Sequence, residues 1–510
     1  MKKWISVVLF VISLMSAAGI KDVHALQLDW SGQFWADQHW LNNYQLSRGT
    51  PGYDREQSLI DAGGYYTPGT GEKNIIWYSM FMRLNPKLVV NDSINIKSEW
   101  HVGSPIFGFW GRGWPTYDEE RVNFTGSQRD NFAIGAQRFW ANLITDFGTV
   151  ELGRAPLDWG LGAIWNDGSE LFDRYQSTGD MVRLTSKFGN FSIQPALVKV
   201  TSGSNVGGAL AFQNGTLSTT QVVQGHDDVT DYDLAVKYDN SEEDFEFGMM
   251  WTRRSGNVAQ KTIFFNPQLT GSTRINYNLF DFYAHKKWGR WSVGGEIPLF
   301  NGDIGAIDGQ NEFTYKTYAV VVEGQYSSDV WDIGLKLGHV PGQPPTAVGD
   351  KKFNAVFLNK NYDLGLIMFN YNISGLTANN PDTITAPNSP YGSAVVNANY
   401  IALKPDVKFD KWTFSLGLVA AWADQVAQGG RQFYNYERRQ FFNGVANQAR
   451  FMGYEIDPGV TFKWDENFVL NWTTGFWFPG EYYAFSNSRA VPKLETDMMF
   501  ASQVRAGITF

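Results

Sequence analysis

Period-two alternation of apolar and polar residues, in segments of about ten residues, constrains this chain more than any other feature. In 94–102, one face carries Ile94, Ile96, Ser98, Trp100 and Val102, and the other carries Asn95, Lys97, Glu99 and His101. The segments 232–239, 245–252 and 331–337 repeat the pattern. Such alternation is typical of a β-strand with one face in an apolar medium and the other in a polar one. The sequence therefore predicts a protein built from amphipathic strands.

Across the whole chain the alternation predicts about eighteen strands. They cover 26–37, 75–90, 93–103, 131–145, 148–155, 179–188, 190–202, 230–240, 244–254, 275–287, 290–301, 313–327, 329–340, 391–408, 411–424, 451–464, 467–478 and 494–510. Tight connections such as Gly189-Asn190 alternate with long polar stretches such as 341–390, which is the layout of bacterial outer-membrane barrels. We therefore expect an all-β fold, a single transmembrane antiparallel β-barrel with short periplasmic turns and long extracellular or infolded loops.

Composition disfavours several other classes of protein. After the N-terminus no apolar stretch reaches the roughly 20 residues that a transmembrane helix needs, and the mean hydropathy of −0.29 fits strands with one wet face. The chain has no cysteine, which rules out disulfides and thiolate metal sites. A soluble two-sheet sandwich would also alternate. The clustering of aromatic residues at strand ends, as in interfacial girdles, favours the barrel.

The N-terminus has the pattern of a secretory signal. Lys2 and Lys3 precede an apolar core over 4–19, and Val23-His24-Ala25 fits the small-x-small rule for cleavage. We expect a cleaved signal peptide over 1–25 and the barrel over 26–510; the alternative is a single anchoring helix. Cleavage would remove three lysines and one aspartate and would move the formal net charge from −9 to −11. This negative charge argues against a nucleic-acid partner.

The last segment also points to the outer membrane. Residues 498–510 alternate and end on Phe510, which resembles the C-terminal signature by which outer-membrane barrels are recognised for insertion. Phe510 is therefore the predicted insertion signal. The expected partners are the barrel-assembly machinery, outer-membrane lipid and lipopolysaccharide, and the oligomeric state stays open.

No catalytic motif is present, so we expect no enzyme activity and no cofactor. The chain contains no nucleophile elbow, no phosphate-binding loop and no pair of histidines at metal-ligand spacing. Asp158, Asp167 and Asp173 offer oxygen ligands for a calcium ion. Their spacing fits no EF-hand loop, so the alternative is a solvated or salt-bridged loop packed inside the barrel mouth.

Charged residues on the strands are expected to face the lumen, because a charge on the lipid face costs roughly 2–4 kcal/mol at mid-membrane. The pore-lining candidates are Lys97, Glu99, His101, Arg183, Asp233, Lys237, Glu246, Asp281, Glu296, Asp332, Lys336, Lys404, Asp406, Glu455, Asp457 and Arg505. The two signs are nearly balanced. One interpretation is a set of ion pairs that stiffens the wall, and the other is a transverse field across a constriction.

Three stretches resemble the alginate-export family of outer-membrane barrels. They are 150–154 (VELGR), 361–367 (NYDLGLI), and 453–457 (GYEID) leading to 476–480 (FWFPG). The resemblance implies an 18-stranded barrel, and members of the best-known type export an anionic polysaccharide through a pore lined with Arg and Lys.

The mixed lumen charge favours a different function. We expect an outer-membrane porin-like channel for passive diffusion of small polar or charged solutes. Two alternatives stay open, an exporter of a polysaccharide and a surface-display barrel without transport. A barrel enzyme is a third, for which no residue pair can be named.

Overall fold

The computed structural model describes residues 27–43, 74–106, 134–201, 211–213, 216–218, 228–259, 272–307, 312–371, 391, 393–436, 440–485, 487 and 496–510. The predicted signal peptide, 1–25, lies outside these residues. None of the helices in the described part is long and apolar enough to cross a membrane.

The described residues form a wall of eighteen strands. They are β1 (Gln27–Asp29 and Gly32–Asn42), β2 (Asn74–Leu84 and Lys87–Asn91), β3 (Ile94–Val102), β4 (Ile134–Thr145), β5 (Gly148–Pro156), β6 (Thr178–Phe188), β7 (Phe191–Thr201), β8 (Asp228–Asn240), β9 (Phe245–Ala259), β10 (Ser272–Trp288), β11 (Trp291–Ala306), β12 (Glu312–Tyr318 and Val320–Ser327), β13 (Trp331–Val340), β14 (Ala398–Phe409), β15 (Trp412–Ala423), β16 (Phe451–Lys463), β17 (Phe468–Pro479) and β18 (Met499–Thr509).

Each wall strand pairs antiparallel with the next, and β1 pairs with β18 from Gln33↔Thr509 to Asn42↔Phe500. The sheet is thus a closed ring with no free edge, which leaves no unpaired backbone at an edge. The predicted fold, an all-β antiparallel barrel of about eighteen strands, is confirmed.

Smaller elements lie outside the wall. Two short hairpins, Ala211–Gln213 with Thr216–Ser218 and Gln432–Asn435 with Gln440–Asn443, occupy connections between wall strands. A two-residue strand, Lys352–Phe353, pairs parallel with Thr314 and Tyr315 in the first segment of β12. One 3₁₀ turn spans Glu481–Ala484.

Strand bounds differ from the prediction mainly at the ends that carry the long loops. β10 begins at Ser272 and β11 runs to Ala306, beyond the predicted 275–287 and 290–301. The extension of β10 (Ser272–Arg274) is polar on both faces and that of β11 (302–306) contains two glycines, so a regular apolar alternation is missing there. β14 begins only at Ala398, because the residues before it pack inside the barrel as a loop.

The outer face carries an apolar belt between two aromatic girdles. Exposed aromatics near the short turns include Trp288, Trp291, Trp331, Trp412 and Trp464, and those near the long loops include Trp40, Trp100, Tyr232, Tyr318 and Trp422. Aromatic rings at these two levels are typical of outer-membrane barrels. The girdles therefore mark the two membrane interfaces.

The first and last strands meet in a tight seam. Gly32 N–H donates to the Phe510 carbonyl at 2.8 Å, and Phe510 N–H donates to the Gly32 carbonyl at 3.0 Å. A Cβ on Gly32 would lie 2.5 Å from the Arg83 carbonyl oxygen and 2.7 Å from Phe510 Cζ. Closure of the ring therefore needs a glycine at position 32.

Gly32→Val should weaken the barrel by about 1–3 kcal/mol, because the new side chain overpacks the seam. A lower urea midpoint of the purified protein in detergent would measure this. Gly324→Val is the matched control, since a Cβ there has only Leu335 Cβ at 4.0 Å. Equal midpoints for the two variants would contradict the role assigned to Gly32.

Candidate functional site

Two long connections fold into the lumen. We call residues 157–177, between β5 and β6, loop A, and residues 341–397, between β13 and β14, loop B; of loop B, residues 341–371, 391 and 393–397 are described. A barrel of 16–18 strands is wide enough to leave an aqueous channel. The width of the path therefore depends on where these loops lie.

Loop A crosses the lumen and is bound to β11. Glu296 Oε2 accepts the N–H groups of Leu161 at 2.6 Å and Ala163 at 3.3 Å. Gly160 (φ +62°) lets the backbone approach, because a Cβ there would lie 2.5 Å from that same oxygen. Trp159 packs beside Tyr283 on β10 with ring centroids 6.5 Å apart. The first half of loop A is thus held against the wall about five strands away from the strands that it connects.

The second half of loop A is held by arginines. Arg138 on β4 donates to the carbonyls of Asp167 at 2.6 Å and Ser177 at 3.0 Å. It also donates to Glu99 Oε2 at 2.9 Å. Arg174 of the loop donates to the Pro105 carbonyl at 2.7 Å and pairs with the buried Asp37 on β1. Loop A is therefore tied at both halves.

Loop B is bound to β16 by two carboxylates. Glu455 accepts the N–H groups of Ile367 at 2.6 Å and Met368 at 2.7 Å, one on each oxygen. Asp457 Oδ2 accepts the N–H of Leu366 at 3.0 Å. Three consecutive backbone donors, which would otherwise be unpaired inside the barrel, thus receive carboxyl acceptors.

The two loops also bind each other. Asn359 N–H donates to the Ala163 carbonyl at 2.7 Å. Asn361 Nδ2 donates to the Tyr175 carbonyl at 2.6 Å, and its Oδ1 accepts the Tyr175 N–H at 3.1 Å. The loops therefore form one connected partition inside the barrel.

A buried polar cluster fastens this partition to the seam. His39 Nδ1 and Nε2 lie 2.9 Å and 3.0 Å from the hydroxyl oxygens of Tyr371 and Tyr391 in loop B. Its ring stacks on Trp77 with centroids 4.8 Å apart. Since Asp37, two residues before His39, holds Arg174 of loop A, one short stretch of β1 contacts both loops.

Below the loops, wall charges are paired across neighbouring strands. Arg183 Nε lies 2.5 Å from Glu151, Lys408 Nζ 2.6 Å from Asp332, Lys336 Nζ 3.1 Å from Glu323, and Lys237 contacts Glu246. Except for Lys336, which lies at mid-strand and also acts on Asp363 of loop B, these residues are at the middle of the wall or on the half that ends in the short turns. At these positions the geometry fits the interpretation of ion pairs that stiffen the wall.

At the level of the loops, one carboxylate faces the lumen. The side chain of Asp363 of loop B is solvent-exposed inside the barrel, where the surrounding wall and loops limit its contact with bulk water. Burial raises its pKa, and the nearby Lys336, Arg505 and Arg174 act in the opposite direction. Burial also raises the pKa of Asp173 in loop A to about 7, and repulsion from Asp363 adds to this effect. We call the group of charges formed by Asp363, Asp173, Arg505 and Lys336 the eyelet.

All sixteen pore-lining candidates lie on the inner face of the wall. Six are buried beneath the loops: Glu99, His101, Asp281, Glu296, Glu455 and Asp457. The other ten keep some exposure: Lys97, Arg183, Asp233, Lys237, Glu246, Asp332, Lys336, Lys404, Asp406 and Arg505. The buried group positions loops instead of meeting a solute.

The alternation in 131–145 and 148–155 does not decide whether Arg138 and Arg154 line the pore, and the structure places the two on opposite faces of the wall. Arg138 points into the lumen, whereas Arg154 lies on the outer face, where it forms two hydrogen bonds with Asp180 (2.6 Å and 2.8 Å).

Sequence reasoning missed His39, since the predicted first strand ended at residue 37. The inward alternation of Asp37, His39 and Leu41 could have revealed it.

The calcium candidates serve loop A itself. Asp167 Oδ1 accepts the Ser169 N–H at 2.9 Å, and Asp173 Oδ2 accepts the Glu170 N–H at 3.1 Å. Burial raises the pKa of Asp158, with repulsion from Asp167 second. Among the described residues, no three His, Cys, Asp or Glu side chains are grouped as metal ligands.

Comparison with solved structures finds barrels of similar length. A BenF-like porin from Pseudomonas fluorescens Pf-5 shares 10% identity over 95% of this chain and 98% of that one, with a TM-score of 0.46. Pseudomonas aeruginosa OccK9 (OpdG) shares 12% identity over 94% and 99%, with a TM-score of 0.45. OccK2 (OpdF) from the same species, solved in complex with glucuronate, shares 10% over 94% and 98%, with a TM-score of 0.45. No curated protein matches the chain.

A family profile overturns the predicted resemblance to alginate-export barrels. The profile described as Gram-negative porin matches residues 18–367. The stretches that suggested alginate export have structural roles in this barrel: 150–154 is an ordinary wall strand, while 361–367 and 453–457 are the two sides of the contact between loop B and β16. A closed barrel with a porin profile over more than half its length is an outer-membrane channel for small solutes, and this chain belongs to the Gram-negative porin family.

Proposed function

We propose that the eyelet sets both the size and the charge preference of solutes that diffuse through this porin. The observation that carries the proposal is the partition formed by loops A and B, which are bonded to the wall and to each other. A partition fixed in this way leaves an opening of defined size. Selection then depends on size and charge, and no chemical step is involved.

The charges at the eyelet come from different elements. Asp363 and Asp173 belong to the loops, whereas Arg505 and Lys336 belong to the wall. Arg505 lies over the Phe172 ring at 4.5 Å, and Lys336 over the Tyr362 ring at 4.4 Å, so aromatic faces hold both cations in place. A solute passing between loop and wall meets carboxylates on one side and cations on the other. This arrangement supports the interpretation of a transverse field, here confined to the eyelet.

Purified protein should give ohmic single channels in planar bilayers. Replacing Glu455 and Asp457 together by alanine should raise the conductance and the current noise. The N–H groups of Leu366, Ile367 and Met368 would lose their carboxyl acceptors, and each unpaired buried donor costs about 1–3 kcal/mol, so loop B would detach. Asp332→Ala with Lys408→Ala, two changes in the wall away from loop B, should leave the conductance near the wild-type value.

The outcomes of this experiment are distinct. Absence of conductance in the folded wild-type protein would favour a surface-display barrel. Equal conductance of the Glu455/Asp457 double variant and the wild type would contradict the role of loop B in setting pore size.

Asp363→Asn should shift ion selectivity towards anions. Loss of one lumen charge should lower the cation-to-anion permeability ratio about two- to fivefold, as expected for a charge a few ångströms from the path in a watery pore. Reversal potentials in a salt gradient measure this ratio. Asp329→Asn in the turn before β13 removes the same charge outside the pore and is the control; a shift of equal size in both variants would count against the eyelet.

Selectivity should also depend on pH through Asp173. Its pKa of about 7 means that the carboxyl is neutral below that value and charged above it. The cation-to-anion permeability ratio should therefore rise as the pH increases from about 6 to about 8. Reversal potentials across this range test the prediction. In Asp173→Asn the rise should be lost, and an unchanged pH profile in that variant would show that another group titrates.

A further inference from the structure

One polar row crosses five neighbouring strands on the outer face of the wall. Strand register places Tyr232, Arg253, Asn278, Asn301 and Lys316 side by side on β8 to β12. The row directly below, on the membrane side, consists of Leu234, Trp251, Phe280, Leu299 and Tyr318. Trp251 Nε1 donates to Asn278 Oδ1 at 3.1 Å and joins the two rows. Polar and apolar surface thus meet along one sharp line.

The height of this line places it at a membrane interface. On β10, Asn278 lies ten residues above Trp288, which is in the lower girdle. At about 3.4 Å per residue and a tilt near 40°, ten residues rise about 25 Å, the usual height of the apolar belt. The polar row therefore lies level with the headgroups of the outer leaflet.

Two cations in the row are available to a ligand. Arg253 and Lys316 are exposed, and no ion pair or hydrogen bond of either side chain is found among the described residues. By contrast, Arg154 on β5 pairs with Asp180, and Lys199 on β7 pairs with Asp228. Three strand spacings separate β9 from β12, about 14 Å. Two phosphate groups on one disaccharide can reach both side chains.

An apolar groove opens beside the Lys316 end of the row. It is lined by Val320, Val322, Leu337, Ile401 and Trp422, with His339 and Asn399 at its polar end. His339 Nδ1 lies 2.8 Å from Asn399 Oδ1. The groove lies just below the break in β12 at Ala319, whose N–H donates to the Pro298 carbonyl at 3.1 Å. Its lining suits a hydrocarbon chain.

We propose that the outer face of β8 to β15 binds one outer-leaflet glycolipid that carries two phosphates on its disaccharide headgroup. One phosphate pairs with Arg253 and the other with Lys316, Asn278 and Asn301 donate to the sugar between them, and one acyl chain fills the groove. The charge complementarity and the adjoining apolar groove at headgroup height together select this ligand. The site is independent of the eyelet, so channel conductance does not depend on it.

Binding of diphosphoryl lipid A to the full-length protein in uncharged detergent micelles tests the proposal, with native mass spectrometry as the readout. Removal of two interfacial cations should weaken binding about 30-fold, because each is worth about 1 kcal/mol near a charged lipid surface. The variant is Arg253→Gln with Lys316→Gln. Arg290→Gln with Lys411→Gln, at the opposite end of the barrel, makes the same change in charge and should bind as the wild type does.

Val322→Trp fills the groove without changing any charge, and so it tests the contribution of the groove to lipid binding separately from that of the cations. It should weaken binding of diphosphoryl lipid A while the conductance keeps its wild-type value. Unchanged lipid affinity in the Arg253/Lys316 variant would overturn the proposal. Equally tight binding of phosphatidylglycerol would overturn the assignment of a two-phosphate headgroup. If the wild-type protein instead forms a dimer and binds no lipid A, and the same two substitutions dissociate that dimer, the face would be assigned to a second copy of the chain.

Discussion

Carboxylates of the wall that accept backbone N–H groups of the loops hold the lumen in shape. Glu296 binds loop A and Glu455 binds loop B, each through two donors. A loop inside a barrel has backbone groups that neither a strand partner nor bulk water satisfies, and each unpaired donor is costly. A carboxyl acceptor on a rigid strand solves this problem. The loops that form the eyelet are therefore held in place by the rigid strands of the barrel.

The sequence was sufficient to predict the strands of the wall because side chains on a strand repeat their direction every two residues. This period is visible in the order of apolar and polar amino acids. The inward face of most strands could be assigned from their own alternation, whereas 131–145 and 148–155 left it undecided. The same alternation could not say which inward charges are covered. Leu161 and Glu296 are 135 residues apart and Ile367 and Glu455 are 88 apart, and no local pattern links them.

The mistaken resemblance to alginate-export barrels has the same origin. The residues at 453–457 combine an inward Glu455 and Asp457 on an alternating strand, and those at 361–367 supply small and apolar residues with free donors. Any barrel that fixes an inner loop to its wall by carboxylates needs such a pair of segments. These two segments indicate how a loop is fixed inside the lumen, and they carry no information on the solute.

Ion pairs and a transverse field, which looked like competing interpretations of one set of charges, are largely separated in the lumen, and only Lys336, which pairs with Glu323 and also acts on Asp363, is assigned to both. Where two charged residues lie on neighbouring strands, as Arg183 and Glu151 do, the opposite charges are in contact and their fields cancel over a short distance. Asp363 stands on a loop and has no cross-strand neighbour, so its charge acts across the opening towards Arg505 and Lys336. We infer that a field can persist in this barrel only where a loop carries one of the two charges, and this is why selectivity resides at the eyelet instead of along the wall.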